Sequence, residues 1–200
     1  MKRPSCLAAC LLLVAACGQE ASGPADEAAP AAKPVPAARP APAAVADAEP
    51  PRFRYTRLTG CTLIRSAPEE AGFFEHECEG EGGYRLRHVE SDLRENVIVL
   101  APGGGEHSLE LSALARGAFN TLGDTVEWRG DSAAKGFVPT ALILRHSAVE
   151  DPDPKVPEVS YLVVARLRPS PCVVARVPPG PGQNDRAREL ADAGGACLAG

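Results

Sequence analysis

The feature that most constrains the fold is an alanine- and proline-rich segment at residues 19–51. Of its 33 residues, 13 are alanine and 8 are proline, and Val35 and Val45 are its only larger apolar side chains. This composition supplies too little apolar surface for a core, and the spaced prolines interrupt any helix. We expect an extended tether that reaches about 100 Å when fully stretched, at about 3.1 Å per residue. A proline-rich recognition segment is the alternative, but no repeated basic or aromatic anchor accompanies the prolines.

The first seventeen residues have the pattern of an export signal. Lys2 and Arg3 precede an apolar run at residues 7–16, which ends at Cys17. That run is too short to cross a bilayer, and the order of a basic, an apolar and a small-residue region is typical of a secretory signal peptide. The sequence Val14-Ala15-Ala16-Cys17 resembles the lipobox of bacterial lipoproteins. The resemblance implies that residues 1–16 are removed and that Cys17 is acylated on its sulfur and its new amino group.

This resemblance divides the chain into three parts and gives it a location. Residues 1–16 are the expected signal peptide, 17–51 the lipid-anchored cysteine and tether, and 52–200 a single globular domain. Stable anchoring takes at least two acyl chains, which a triacylated cysteine supplies. Gly18 stands where an aspartate tends to retain lipoproteins in the inner membrane. The resemblance therefore implies an outer-membrane lipoprotein facing the periplasm; the alternative is an ordinary cleaved signal with an incidental cysteine.

The net charge limits the class of partner. The formal charge is −5, and removal of Lys2 and Arg3 with the signal peptide would make it −7. An acidic chain is not expected to bind nucleic acid or an anionic membrane surface. Membrane attachment is therefore expected through the acyl chains on Cys17, and the partner of the domain is expected to be a periplasmic protein or a cell-wall component.

Four cysteines in the expected domain predict two disulfide bonds. An even number of cysteines in an exported domain is typical of a disulfide framework. Four cysteines allow three pairings, and proximity in sequence favours Cys61 with Cys78 and Cys172 with Cys197. A zinc site is the alternative, but no two of the four have the close spacing that zinc ligands use. No metal and no cofactor are expected.

Short β-prone runs dominate residues 52–200 and predict the fold class. Four runs are apolar at successive positions, which indicates strands covered on both faces: 97–100, 141–144, 162–165 and 173–175. Residues 125–129 alternate instead and are expected nearer the periphery. Residues 109–115 are ambiguous between a short helix and a turn. We predict an α+β domain with a mainly antiparallel sheet of about seven to nine short strands, two disulfides and a C-terminal helix.

A hairpin is predicted around the glycine-rich residues 80–83. Glutamates alternate along residues 73–79, and arginines alternate along 84–89. If Cys78 lies opposite Tyr84, Glu77 faces Arg85 and the charges match across the strands. This pairing explains the glutamates as a solvated face; a calcium site or a catalytic carboxylate cluster is the less favoured interpretation.

The predicted C-terminal helix covers residues 184–193. Asn184 is a candidate N-cap, and Gly194 follows the last helical residue. Ala187, Leu190 and Ala191 would form its apolar stripe. Cys197 lies just beyond, where a bond to Cys172 would attach the helix end to the sheet.

Several short motifs resemble those of an uncharacterised exported domain family of proteobacteria. They span most of the domain: Cys78-x-Gly80-x-Gly82-Gly83-Tyr84, Asp92-x-Arg94, Phe119-Asn120-x-Leu122-Gly123, Glu127-Trp128-Arg129, Ala141-x-Ile143-x-Arg145 and Asn184-x-x-Ala187-Arg188-x-x-Ala191-Asp192. The resemblance implies export and one domain, and it transfers no activity and no catalytic residue.

The sequence contains no recognised catalytic motif. It lacks a Gly-x-Ser-x-Gly elbow, a His-Glu-x-x-His helix and a phosphate-binding glycine loop. Its four histidines are interpreted as packing or hydrogen-bonding residues, and no catalytic residue is predicted. We expect a non-catalytic binding or envelope-maintenance module. The alternatives are a periplasmic hydrolase with a site assembled from distant residues and an enzyme inhibitor.

A binding patch is predicted from four large side chains that interfaces commonly use. They are Trp128, Arg129, Arg145 and Tyr161. For Trp128 itself, burial at the edge of the core is the favoured interpretation, and the exposed patch is the less favoured one. Membrane-bound lysozyme inhibitors are similar in being small, β-rich, disulfide-bonded lipoproteins, but their Ser-Gly-x-Arg-Tyr motif is missing from this sequence.

Overall fold

The computed structural model describes residues 52–134 and 136–198. These residues form ten strands and two helices. In chain order they are β1 (Phe53–Arg57), β2 (Thr62–Ala67), β3 (Phe73–Glu79), β4 (Arg85–Ser91), β5 (Arg94–Leu100), β6 (Glu106–Ser108), α1 (Leu111–Leu114), β7 (Asn120–Ala133), β8 (Gly136–Ala148), β9 (Val159–Arg166), β10 (Cys172–Val177) and α2 (Gln183–Ala193). The signal peptide, Cys17 and the tether lie outside the described residues.

The ten strands form one mixed, mostly antiparallel sheet. Its order is β10-β9-β8-β7-β5-β4-β3-β2, with β1 paired to β7 and β6 paired to β5. Strands β5 and β7 are parallel and meet through the single pair Arg94–Asn120. The predicted α+β class, the C-terminal helix and both disulfide pairings are confirmed. The additional strand is β6, whose three residues owe their extended form to pairing with β5 and carry no strand signal of their own.

The main core lies between the two halves of the sheet. Leu86 and Val99 face it from β4 and β5, while Val126, Trp128 and Leu142 face it from β7 and β8. All five side chains are fully buried. We call this side of β7–β10 the inner face. No helix of the described residues is long and apolar enough to cross a membrane.

A second apolar cluster lies on the outer face of the same strands, beneath α2. Ala187 and Ala191 of the helix pack there against Ile143 of β8 and Val164 of β9. Strands β8 and β9 are therefore covered on both faces, as their continuous apolar runs predict. The last run is covered less completely, since Val173 is buried but the next two residues are only half-buried.

The helix α2 begins one residue earlier than predicted and without the expected cap. Gly182 precedes it in a left-handed conformation, and no side chain of the described residues caps the first turn. The amide of Gln183 instead donates to the carbonyl oxygens of Val177 and Ser160 at 3.0 and 3.1 Å. The start of the helix is thus fastened to the sheet, and Gly194 ends it as predicted.

The expectation that residues 125–129 are peripheral is wrong. They lie in β7, a 14-residue strand that pairs with β8 along its length and with β1 at its middle. Val126 and Trp128 face the main core, and the polar residues that alternate with them face α2. The alternation indicated one solvated face, but the C-terminal helix covers that face.

The predicted hairpin forms in a register shifted from the expected one. Glu79 lies opposite Arg85, and Glu77 lies opposite Arg87. Tyr84 leaves the strand pairing because its ring is buried against Trp128, at 6.3 Å between ring centroids. An ion pair between Glu77 and Arg85 still forms, on the diagonal. A Cβ on Gly80 would lie 2.9 Å from the Trp128 ring, so this turn position requires glycine.

Candidate functional site

Trp128 cannot serve as an exposed binding anchor. Its side chain is fully buried in the main core, and its indole Nε1 donates to the hydroxyl oxygen of Thr56 at 2.8 Å. This bond satisfies the only polar atom of the side chain. Trp128 therefore holds β1 against β7, and the competing interpretation of burial is correct.

The four residues of the predicted patch lie on two different faces of the sheet. Tyr161 pairs with His146 on the inner face, whereas Arg145 pairs with Leu162 on the outer face. Arg129 also faces outward, opposite Ala141. Because neighbouring residues of a strand point to opposite faces, the four side chains do not form one surface. The predicted patch is wrong as a unit, and only Arg145 and Tyr161 reach the molecular surface as partners for a ligand.

Arg129 takes part in an ion-pair network beneath α2. Its Nε and Nη2 donate to the two carboxylate oxygens of Asp192 at 3.0 and 2.7 Å. Glu127 accepts from Arg129 and from Arg188 of the helix. The hydrogen bond to Asp192 raises the pKa of Arg129 and outweighs the effect of burial. The hydrogen bond to Glu127 likewise raises the pKa of Arg188. Every charge here has an opposite partner, so the network fastens α2 to β7.

Arg145 borders a shallow groove on the outer face. The groove has a volume of about 260 Å³ and lies between Tyr55, Arg145 and Asn184. Arg145 donates to the hydroxyl oxygen of Ser160 at 2.9 Å, and the Tyr55 hydroxyl donates to Glu127 at 3.3 Å. The side chains of Arg145 and Tyr55 are thus already engaged with neighbouring strands, which makes this groove the weaker candidate.

Tyr161 borders a larger cavity, which we call the Tyr161 pocket. Its volume is about 460 Å³, and its polar residues are Arg116, Glu150, Tyr161 and Arg176. Its apolar wall consists of Leu114, Ala115, Ala118 and Val149. A few convergent polar groups beside an apolar wall are typical of a small-molecule site.

Three of the polar residues form a fixed unit. The Tyr161 hydroxyl donates to Glu150 Oε1 at 2.7 Å, and Arg176 Nη2 donates to the same oxygen at 2.9 Å. The Arg176 guanidinium lies over the Tyr161 ring at 3.3 Å from its centroid, a cation–π contact. The hydrogen bond from Tyr161, assisted by Arg176, lowers the pKa of Glu150. The same bond raises the pKa of Tyr161, which therefore stays protonated at neutral pH.

Arg116 gives the pocket a net positive charge. Its side chain is exposed and forms no ion pair with the residues that the structure describes. The backbone of Arg116 is left-handed, at φ 55°, a conformation uncommon outside glycine. Two guanidinium groups thus face one carboxylate. The pocket can accept an anionic group, with Arg116 as the cation available to pair with it.

Two of the four histidines, His88 and His107, form polar pairs at separate places. His88 Nε2 lies 2.9 Å from Glu95 Oε2, and that oxygen also accepts the backbone N–H of Leu122 at 3.0 Å. His107 Nδ1 lies 3.2 Å from the hydroxyl oxygen of Ser170. The first pair has a carboxylate and the second a hydroxyl, so neither combines the three groups that a hydrolytic triad needs. Within residues 52–134 and 136–198, no cluster of three potential metal ligands occurs.

The sequence identified one of the four polar residues of the Tyr161 pocket. Arg176 was not predicted as a site residue because it lies in the otherwise apolar strand β10. A lone arginine among valines and alanines could have indicated a functional position. Glu150 belongs to a proline-rich loop segment, and Arg116 follows the ambiguous residues 109–115. Their convergence depends on pairing between β9, β10 and the end of β8, which the sequence does not specify.

Comparisons with protein-family models, with curated proteins and with solved structures found no match for this chain.

Proposed function

We propose that the protein is an outer-membrane lipoprotein whose domain is a non-catalytic binding module facing the periplasm. Acyl chains on Cys17 hold it at the membrane, and the tether presents the domain to a cell-wall component. The Tyr161 pocket is the site, and its ligand carries a carboxylate next to small apolar groups. The observation that carries the proposal is the juxtaposition of Arg116, which forms no ion pair within residues 52–134 and 136–198, with the fixed Tyr161–Glu150–Arg176 unit.

The charge and shape of the pocket support a carboxylate ligand. Arg116 supplies a charged donor, and the side chain already lies at the cavity border. Leu114, Ala115, Ala118 and Val149 offer a wall for methyl groups. Cell-wall peptides carry both carboxylates and alanine methyl groups, and their chemistry therefore matches the pocket.

The chemistry at the pocket favours binding over hydrolysis. A hydrolytic site needs a nucleophile beside a base whose pKa lies near the working pH. Here the Tyr161 hydroxyl has a raised pKa and donates to Glu150, whose own pKa is lowered. Tyr161 is thus a weaker acid than usual, and Glu150 is a weaker base than usual. Such a pair is poorly suited to proton abstraction and well suited to holding a fixed hydrogen bond.

Equilibrium dialysis of the mature protein in detergent tests the proposal. Soluble peptidoglycan fragments from a muramidase digest serve as the probe, and mass spectrometry identifies the fragments that the protein retains. We expect wild-type protein to retain carboxylate-bearing fragments unchanged. Arg116→Gln should weaken binding by about tenfold or more, since a charged hydrogen bond contributes about 1.5–3 kcal/mol.

Arg186→Gln is the matched control because it removes one exposed arginine, on α2, that does not border the Tyr161 pocket. It should bind as wild type does. Equal retention by wild type and Arg116→Gln would contradict the assignment of the site. Conversion of the fragments to smaller products would instead favour the hydrolase alternative.

A further inference from the structure

A separate feature, a disulfide bond in contact with an arginine, lies at the edge strand β10. Arg166 of β9 pairs with Cys172 of β10 in the sheet register. Its Nε lies 3.2 Å from Cys172 Sγ, and its Nη2 lies 3.3 Å from Cys197 Sγ. One guanidinium thus contacts both sulfurs of the same disulfide bond.

We propose that the Cys172–Cys197 bond is a thiol–disulfide exchange site for a dithiol reductant, and that Arg166 activates it. A nearby arginine stabilises a thiolate and lowers its pKa, and a leaving thiol of lower pKa leaves faster. Arg166 is placed to do this for whichever sulfur leaves. The inference does not depend on the proposed ligand or on the Tyr161 pocket.

The accessible sulfur belongs to Cys197. Cys197 is exposed, whereas Cys172 is half-buried within β10. A thiolate of the dithiol attacks Cys197 Sγ, the bond between the two cysteines breaks, and Cys172 leaves as a thiolate held by Arg166 Nε. The second thiolate of the reductant then attacks its own sulfur in the mixed disulfide and releases the Cys197 thiolate. The dithiol is oxidised to a disulfide by two electrons, and both protein thiolates take up protons from water according to their pKa values.

The bond secures the segment that follows α2. Beyond the helix, the Gly195 carbonyl oxygen accepts from Arg166 Nη1 at 3.1 Å, and the Leu198 N–H donates to the Val173 carbonyl oxygen at 2.8 Å. Leu198 also lines a small cavity of about 160 Å³, together with Leu114 and Val173. Among the described residues, two hydrogen bonds remain to hold this segment after reduction. Exchange at Cys197 therefore loosens the segment that contributes Leu198 to the cavity wall, while α2 stays docked.

The Cys61–Cys78 bond is an internal control. Among the described residues, no guanidinium contacts its sulfurs, and neither of its cysteines is exposed. Cys78 is 2% exposed within the main core. The described contact of Cys61 Sγ is the carbonyl oxygen of Arg57 at 3.8 Å, a group that disfavours a thiolate. The two bonds can be followed in one molecule because each of the four cysteines falls on a different tryptic peptide.

The experiment is timed reduction of the full-length native protein with dithiothreitol, followed by alkylation and peptide mass spectrometry. We expect Cys172–Cys197 to open about tenfold or more faster than Cys61–Cys78. Arg166→Gln should slow the opening of Cys172–Cys197 by about threefold or more and leave Cys61–Cys78 unchanged. Earlier opening of Cys61–Cys78, or an unchanged rate at Cys172–Cys197 in Arg166→Gln, would overturn the proposal.

Arg166→Lys keeps the test decisive if the glutamine variant loosens the fold and opens both bonds faster. Lysine keeps a positive charge next to the sulfurs but cannot contact both of them at once, as the guanidinium does. We expect selective opening of Cys172–Cys197 at a rate within about threefold of wild type. A lysine variant that opens the two bonds at equal rates would show that charge at Arg166 does not activate the bond, which also overturns the proposal.

Discussion

At the scale of single residues, the most unusual side chain is the buried histidine of β8. His146 is fully buried on the inner face, and neither ring nitrogen has a hydrogen-bond partner among the described residues. Burial lowers its pKa to about 4, and the charge of Arg176 acts in the same direction. The side chain is therefore neutral in the folded protein at neutral pH, and the fold resists its protonation.

This burial predicts a loss of stability in mild acid. Between pH 6.5 and pH 4 the unfolded chain binds a proton at His146 that the folded chain does not, so the free energy of unfolding falls as the pH falls. The full loss is about 3 kcal/mol below pH 4, and none is present above pH 6.5. His146→Leu should lose less stability than wild type over this window, as measured by urea denaturation at a series of pH values. Parallel curves for the two proteins would contradict the assignment.

At the scale of elements, α2 decides how β8 and β9 are buried. The helix offers small residues to the sheet, with Ala187 fully buried and Ala191 4% exposed. Small side chains let the helix lie close to the outer face, and the Arg129–Asp192 and Glu127–Arg188 pairs fix its position. The position of α2 on the sheet is therefore determined by both the packing of its small side chains and its ion pairs.

The close approach predicts that enlarging Ala187 is costly. Ala187→Leu should lower the free energy of unfolding by about 1–3 kcal/mol, because the sheet leaves no room for the added atoms. Ala193→Leu is the control, since Ala193 is exposed on the same helix. It should change stability by less than about 0.5 kcal/mol. Thermal unfolding followed by circular dichroism compares the two, and equal losses would contradict the docking.

The ion pair beneath the helix gives a second prediction at this scale. The Arg129 side chain is 11% exposed, and Asp192 accepts its two shortest hydrogen bonds, with Glu127 as a more distant second partner. Asp192→Asn should cost about 1–2 kcal/mol of unfolding free energy. Glu189→Gln, which removes an exposed pair with Arg186, should cost less than about 0.5 kcal/mol in the same denaturant titration. A reversed order of the two losses would show that the Arg129–Asp192 pair does not hold the helix.

The sequence predicted those parts of the fold that depend on local pattern or proximity. The continuous apolar runs of β8 and β9 indicated cover on both faces, and short separations indicated the two disulfide pairings. Long-range pairing was not predictable in this way. The depth of Trp128 depends on β1 and β8 flanking β7, and the Tyr161 pocket depends on a lone Arg176 meeting the end of β8. No single run of residues contains that information.

At the scale of the whole molecule, the Tyr161 pocket and the start of the domain lie at opposite ends of β7. Arg52 binds beside Gly130 and Asp131, near the end of that strand. The pocket lies near its beginning, where Ala118 and Val149 flank the Asn120–Ala148 pair. Ten residues of strand between Asn120 and Gly130 span about 30 Å. The described residues begin at Arg52, so the pocket lies at the far end of the domain from this point.

We propose that the domain is carried on a tether anchored through Cys17, and the proposed function depends on that anchor. Both disulfides are compatible with an oxidising compartment, and a lipid on Cys17 would fix which one. The lipid anchor at Cys17 is a premise of three proposals: export, the ligand class and the access of a dithiol reductant.

The most direct test is the mass of the N-terminal peptide of the native protein extracted from membranes. We predict a chain that begins at Cys17 and carries three acyl groups, and a Cys17→Ala variant that stays unprocessed and unacylated. A native chain that begins after Cys17, or begins at Cys17 without acyl groups, would contradict this prediction.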